Sequence, residues 1–188
     1  MAKHGAEVNF TPGPGGVLAF LSDCRWIDGA AVFFGLWACA FGRYRSDMGK
    51  KSAKIAALIQ SFHGRAQDAH YFGYFECFNR GLYYEAHEVL EELWLAERKG
   101  PNHRFYKGLI QFAGAFVHLR KNRLRPAAAL FRLARANLHP YPRIHERLDT
   151  GQIVASIDGW LSKLEASGFT ANPLESGQAP KLALIDTS

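Results

Sequence analysis

Phe78-Asn79-Arg80-Gly81-Leu82-Tyr83-Tyr84-Glu85-Ala86-His87-Glu88-Val89-Leu90-Glu91-Glu92-Leu93-Trp94 is the stretch that decides how the chain is read. It holds the end of one helix, a turn and the start of another. Asn79-Arg80-Gly81 stops an aromatic-rich segment, and Gly81 suits a left-handed C-terminal cap because it has no Cβ to clash. From Tyr83 onward, at about 100° per residue, Tyr83, Ala86, Leu90, Leu93 and Trp94 share one face and form a core stripe. Glu85, Glu88 and Glu92 lie opposite and read as a solvated acidic face. His87 stands at the edge of the stripe. Glu91 follows four residues later on the same edge, where the two side chains can touch.

Outward from this stretch the punctuation suits helices on both sides. Residues 50–62 place Ile55, Leu58, Ile59 and Phe62 at helical spacing. Residues 67–78 form the aromatic helix that Gly81 ends. After a helix over 83–98, Gly100-Pro101-Asn102 breaks the chain, and Asn102 can cap the next helix. That one, residues 103–121, is apolar nearly all round and should be central. Pro126 suits the first turn of a helix ending near Leu138. Thr150 can cap a last helix through Leu164, with Ile153, Ile157, Trp160, Leu161 and Leu164 buried. No stretch alternates as a strand does. The expectation is an all-α array of five to six helices around one central apolar helix.

The flanks differ from this domain. Residues 1–47 hold a Gly/Pro cluster and then fourteen uncharged residues, 29–42. A membrane-spanning helix needs about twenty, and the positive charges Arg43 and Arg45 follow the run rather than precede it as in a signal peptide. Met48 is the only methionine after Met1, so residues 1–47 are expected to be an unstructured or spurious extension of the gene start. Residues 48–169 form the helical domain. Residues 170–188 have no period and are expected to be a mobile tail. The four basic and four acidic residues of 1–47 cancel, so the rest of the chain keeps the net charge of +6. Cys24, Cys39 and Cys77 lack paired or metal-type spacing and read as reduced thiols, hence a cytoplasmic location.

One polar pattern stands out in the central helix. Between Leu109 and Leu119 the strongly polar side chains are Gln111 and His118, seven residues apart and so on one side, flanked by the small residues Gly108, Gly114 and Ala115. Polar groups in an apolar helix are costly unless partners satisfy them. The economical inference is that the Gln111/His118 stripe faces the His87/Glu91 edge. Two readings compete. In one, His87, Glu91 and His118 ligate a divalent metal and Glu88 is the base of a metal-dependent hydrolase; His-Glu-x-x-Glu has the spacing of His-Glu-x-x-His, and zinc accepts carboxylate oxygen. In the other, the same groups form a hydrogen-bond network that fixes helix packing. The structural network is the preferred one.

The spacing of two motifs also carries a resemblance. Phe78-Asn79-x-Gly81-x-Tyr83-x-Glu85-Ala86-His87-Glu88-x-Leu90-Glu91-x-x-Trp94, followed by Tyr106-Lys107-Gly108-Leu109-Ile110-Gln111-x-Ala113 and His118, resembles the family of small helical proteins catalogued as domain of unknown function 309. It covers about residues 67–138. The resemblance implies a compact all-α domain, brings no established activity, and implies motif positions at Asn79, Gly81, Glu85, His87, Glu88, Glu91, Trp94, Gly108, Gln111 and His118. Separately, Gly81-x-Tyr83-x-Glu85-Ala86 is similar to the turn of a tetratricopeptide unit. Asn122-Arg123-Leu124 echoes it, but 41 residues on from Gly81, longer than that repeat.

Other chemistries are set aside. Gly13-Pro14-Gly15-Gly16 lacks the lysine of a phosphate loop. Cys77 lies among aromatics and reads as core. Arg120, Lys121, Arg123 and Arg125 suit a helix C-terminus, and no nucleic-acid motif accompanies them. The expected function is a non-catalytic binding or interaction module with a buried His/Glu/Gln network. Its partner would be a protein or peptide, or a second copy, and not nucleic acid or membrane.

Overall fold

Six α-helices and one small hairpin account for the regular structure among residues 48–64 and 68–185, the residues that the computed structural model describes. Helix α1 (Met48–Ile59) runs into a 3-10 turn, Gln60–Phe62, and buries Ile55 and Ile59. Helix α2 (Ala69–Asn79) starts on Asp68, whose carboxylate accepts the His70 N–H at 2.8 Å. Then follow α3 (Tyr83–Ala96), α4 (His103–Arg120) and α5 (Leu124–Leu138). Strands β1 (Ile144–His145) and β2 (Leu148–Asp149) pair antiparallel and lead into α6 (Thr150–Ala166). The expected helices are therefore present, and the described residues are all-α apart from the hairpin. Residues 1–47, expected to lie outside the fold, are outside the described residues.

Short connections make α2, α3, α4 and α5 successive antiparallel neighbours. The ring pairs record this. Phe78 at the end of α2 meets Tyr83 at the start of α3, with ring centres 5.1 Å apart; Tyr83 meets Phe116 late in α4, also at 5.1 Å. Trp94 at the other end of α3 meets His103 at 5.1 Å. Helix α4 is central, as its all-round apolar sequence requires. Phe112 stacks on Phe78 of α2, and Phe116 meets Phe131 of α5 at 5.4 Å and Trp160 of α6 at 5.2 Å. Phe78, Phe112, Phe116 and Phe131 are fully buried, and each contributes about 1.5–3 kcal/mol.

Three helix ends share one device. After α2, Leu82 N–H reaches the Cys77 carbonyl and Gly81 N–H the Phe78 carbonyl, with Gly81 at φ +77°. After α4, Arg123 N–H reaches His118 and Asn122 N–H reaches Leu119, with Asn122 at φ +52°. After α6 the same pair joins Phe169 to Leu164 and Gly168 to Glu165. This crossed pattern satisfies carbonyls that a helix end leaves open. It also explains the echo between Gly81-Leu82-Tyr83 and Asn122-Arg123-Leu124, which is a shared turn and not a repeat.

Some local expectations differ from the structure. Asp149, not Thr150, caps α6 by accepting the Gln152 N–H at 2.9 Å, while the Thr150 hydroxyl donates to the Pro142 and Arg143 carbonyls. Asn102 precedes α4 but makes no side-chain cap; its carboxamide goes to the hairpin instead. The hairpin itself turns through Glu146 and Arg147, both at positive φ, without the glycine or asparagine that announces such a turn. Residues 170–185, expected to be mobile, lie along the domain. The Asn172 amide donates to the Leu119 carbonyl at 2.8 Å, and Leu182 is buried beside Asn79. Among the described residues no helix is long and apolar enough to cross a membrane.

Candidate functional site

The polar residues singled out from sequence lie on α2, α3 and α4. His87, Glu88 and Gln111 are buried, with Thr150 the other buried polar residue among those described. Glu88 was expected on a solvated face. Helix α1 reaches that face through Lys54, whose ammonium meets Glu85 at 2.9 Å. Burial alone would raise the Glu85 carboxyl. The Lys54 ion pair, with help from Arg120, more than offsets it and leaves the group below its ordinary range.

Gln111 does not face α3. Its Oε1 accepts the Asn137 amide of α5 at 2.8 Å. The small residues around it decide this. A Cβ on Gly108 would stand 2.7 Å from Leu138 Cγ, and one on Gly114 would stand 3.2 Å from Leu130 Cδ1, so the small-residue face of α4 admits α5. Gln111 thus turns to α5 rather than to the His87/Glu91 edge. His118 is half-buried at the end of α4, and its Nδ1 has no hydrogen-bond partner among the described residues. Burial, with Arg123 and Lys121 nearby, holds its imidazole below the ordinary histidine range.

Among the described residues no group of three or more His, Cys, Asp or Glu side chains is placed to hold a metal ion. His87, Glu91 and His118 therefore do not stand together as a ligand set, and Glu88 has no such centre beside it. Trp94 is half-buried against the His103 ring, at the far end of the α3–α4 pair. Cys77 is buried and unpaired, and burial pushes its thiol up to about 11, away from nucleophilic use.

Asn79 is placed differently from the rest. It is the last residue of α2, and its carboxamide pairs with the main chain of Leu182, donating Nδ2 to the carbonyl at 2.7 Å and accepting the N–H on Oδ1 at 2.8 Å. Sequence reasoning marked Asn79 but missed its partner, because nothing periodic marks residues 179–185. It also missed a second polar cluster. The Asn102 amide donates to Glu146 at 2.7 Å, its Oδ1 meets His145 Nε2 at 2.8 Å, and Tyr71 donates to the Glu146 carbonyl at 3.0 Å. Burial pushes the neighbouring Tyr106 phenol up to about 12, in spite of a hydrogen bond from Asn102. The signal lay in Asn102 alone, which a capping role had already absorbed.

These features define a class: an antiparallel helical array whose motif side chains are divided between helix ends, helix contacts and the seating of a tail. Residues 71–130 match the family model described as Domain of unknown function (DUF309), so the chain resembles that family over α2, α3, α4 and the first half of α5. No curated protein and no solved structure matches the chain.

Proposed function

We propose that the protein is a non-catalytic helical interaction module. The observation that supports this best is Asn79, whose side chain grips the main chain of an extended segment in both directions. A group engaged in that way serves recognition rather than bond making. The other motif residues are distributed: Gly81 and Gly108 through their lack of a side chain, Glu85 through Lys54, Gln111 through Asn137. His87 and Glu88 are buried on α3, which suits support of the packing.

The test is metal content and melting of the full-length protein beside His87→Ala. The module reading expects a metal-free protein whose melting temperature is unmoved by zinc, iron or manganese. It also expects His87→Ala to lower that temperature, by about 2–4 °C for each kcal/mol lost in a domain of this size. Near-stoichiometric metal that disappears in His87→Ala while the fold persists would overturn it.

A further inference from the structure

Residues 181–185, Lys-Leu-Ala-Leu-Ile, run extended between the end of α2 and strand β2. At the α2 end the Asn79 carboxamide does what a neighbouring strand would do for Leu182, and the Asn79 carbonyl takes the Lys181 ammonium. At the β2 end Leu184 bridges Leu148 antiparallel. Ile185 N–H donates to the Arg147 carbonyl at 2.7 Å, and Arg147 Nε donates to the Ile185 carbonyl at 2.9 Å. The segment thereby meets the hairpin edge through a single antiparallel bridge, the kind of main-chain contact by which peptides add to sheet edges.

Nearly all of these bonds read main chain, which any extended segment offers. Selection falls to Lys181 and to Leu182, the only buried side chain between residues 174 and 185. So little side-chain burial makes the seat exchangeable. Residues 175–178 are exposed and form the tether that brings the tail back. Ile144 and Ile185, two of the four large apolar side chains exposed among the described residues, belong to this edge.

We propose that this groove is a strand-acceptor site for an extended segment of a partner protein, carrying lysine, then leucine, then a second aliphatic residue two positions on. The tail is its resident competitor in cis. The short tether favours return of the tail to its own groove over that of a second copy. The proposal deepens the interaction-module reading and rests on it.

The probe is a fluorescent peptide, Ala-Pro-Lys-Leu-Ala-Leu-Ile, titrated by anisotropy against the full-length protein and full-length Leu182→Glu. With the competitor unseated, Leu182→Glu should bind it at least about tenfold more tightly than the wild type does. Adding Asn79→Ala should abolish the gain, and a peptide with glutamate for its first leucine should not bind. A Leu182→Glu protein that melts cooperatively but gains no affinity overturns the proposal, as does binding indifferent to Asn79→Ala. Should Leu182→Glu fail to melt cooperatively, the two peptides at high concentration on the wild type decide: equal binding, or none, overturns it. A wild-type dimer that becomes monomeric in Leu182→Glu would make the occupant a second copy and also overturn it. Metal bound through His87 would instead remove the module reading, whatever the peptide does.

Discussion

Gly108 and Gly114 look equivalent in sequence, yet their surroundings predict opposite tolerances. A Cβ on Gly108 meets Leu138 Cγ at 2.7 Å, Leu138 Cδ2 at 2.9 Å and the Ala134 carbonyl at 3.3 Å, so the α4–α5 contact must open. Gly108→Ala should cost about 1–3 kcal/mol through overpacking. Gly114 meets only Leu130 Cδ1 at 3.2 Å, the far end of a flexible side chain. There the helix propensity of alanine, about 0.5–1 kcal/mol over glycine, offsets the crowding. Urea melts of the two variants should therefore separate, with Gly114→Ala near the wild type. A larger loss at Gly114 than at Gly108 would contradict this placement of α5. Beside them, Asn137→Ala leaves the buried Gln111 oxygen without its donor and should cost about 1–3 kcal/mol. Gln111→Leu in that background should recover part of it, because both polar partners are then gone.

The ends of the elements carry the next prediction. Gly81 and Asn122 hold the same position after α2 and α4, at φ +77° and +52°. Gly81→Ala brings a Cβ into left-handed backbone and should cost about 1–2 kcal/mol, although nothing stands near enough to clash. Asn122→Ala should cost less, since asparagine already bears a Cβ there; thermal melts of both variants check the order. The helices themselves were legible because their periodicity and punctuation agree: the expected 83–98 and 103–121 became Tyr83–Ala96 and His103–Arg120. What escaped was short or aperiodic. A two-residue strand has no alternation to read, and Glu146-Arg147 is held in its turn by Asn102, Tyr71 and the tail rather than by its own preference. Asp149 and Thr150 are both good caps, and only the Pro142 and Arg143 carbonyls decide which is used as one.

Across the whole molecule, the polar candidates were found but their partners were not. A helix wheel shows which side chains share a face, yet it does not say which neighbour that face meets. Gln111 met α5 because Gly108 and Gly114 let Leu138 and Leu130 in; His118, at the end of α4, kept company with Lys121 and Arg123. That arrangement sets a direction for stability against pH. Burial first, then those two cations, lower the His118 pKa, and burial, Lys107 and Arg98 lower that of His103. Above the unfolded histidine value, about 6.5, neither state is protonated and stability is at its full level. Below it the unfolded chain binds protons that the folded one resists, so stability falls as pH drops through the folded values. Glu85, whose carboxyl is also lowered, extends the loss to more acid conditions with the same sign. Urea midpoints should thus be level near neutrality and decline from about pH 6.5 downward. His118→Gln, which keeps a polar side chain but cannot titrate, should flatten the first part of that decline. A His118→Gln profile parallel to the wild type between neutrality and mild acid would place the titrating group elsewhere.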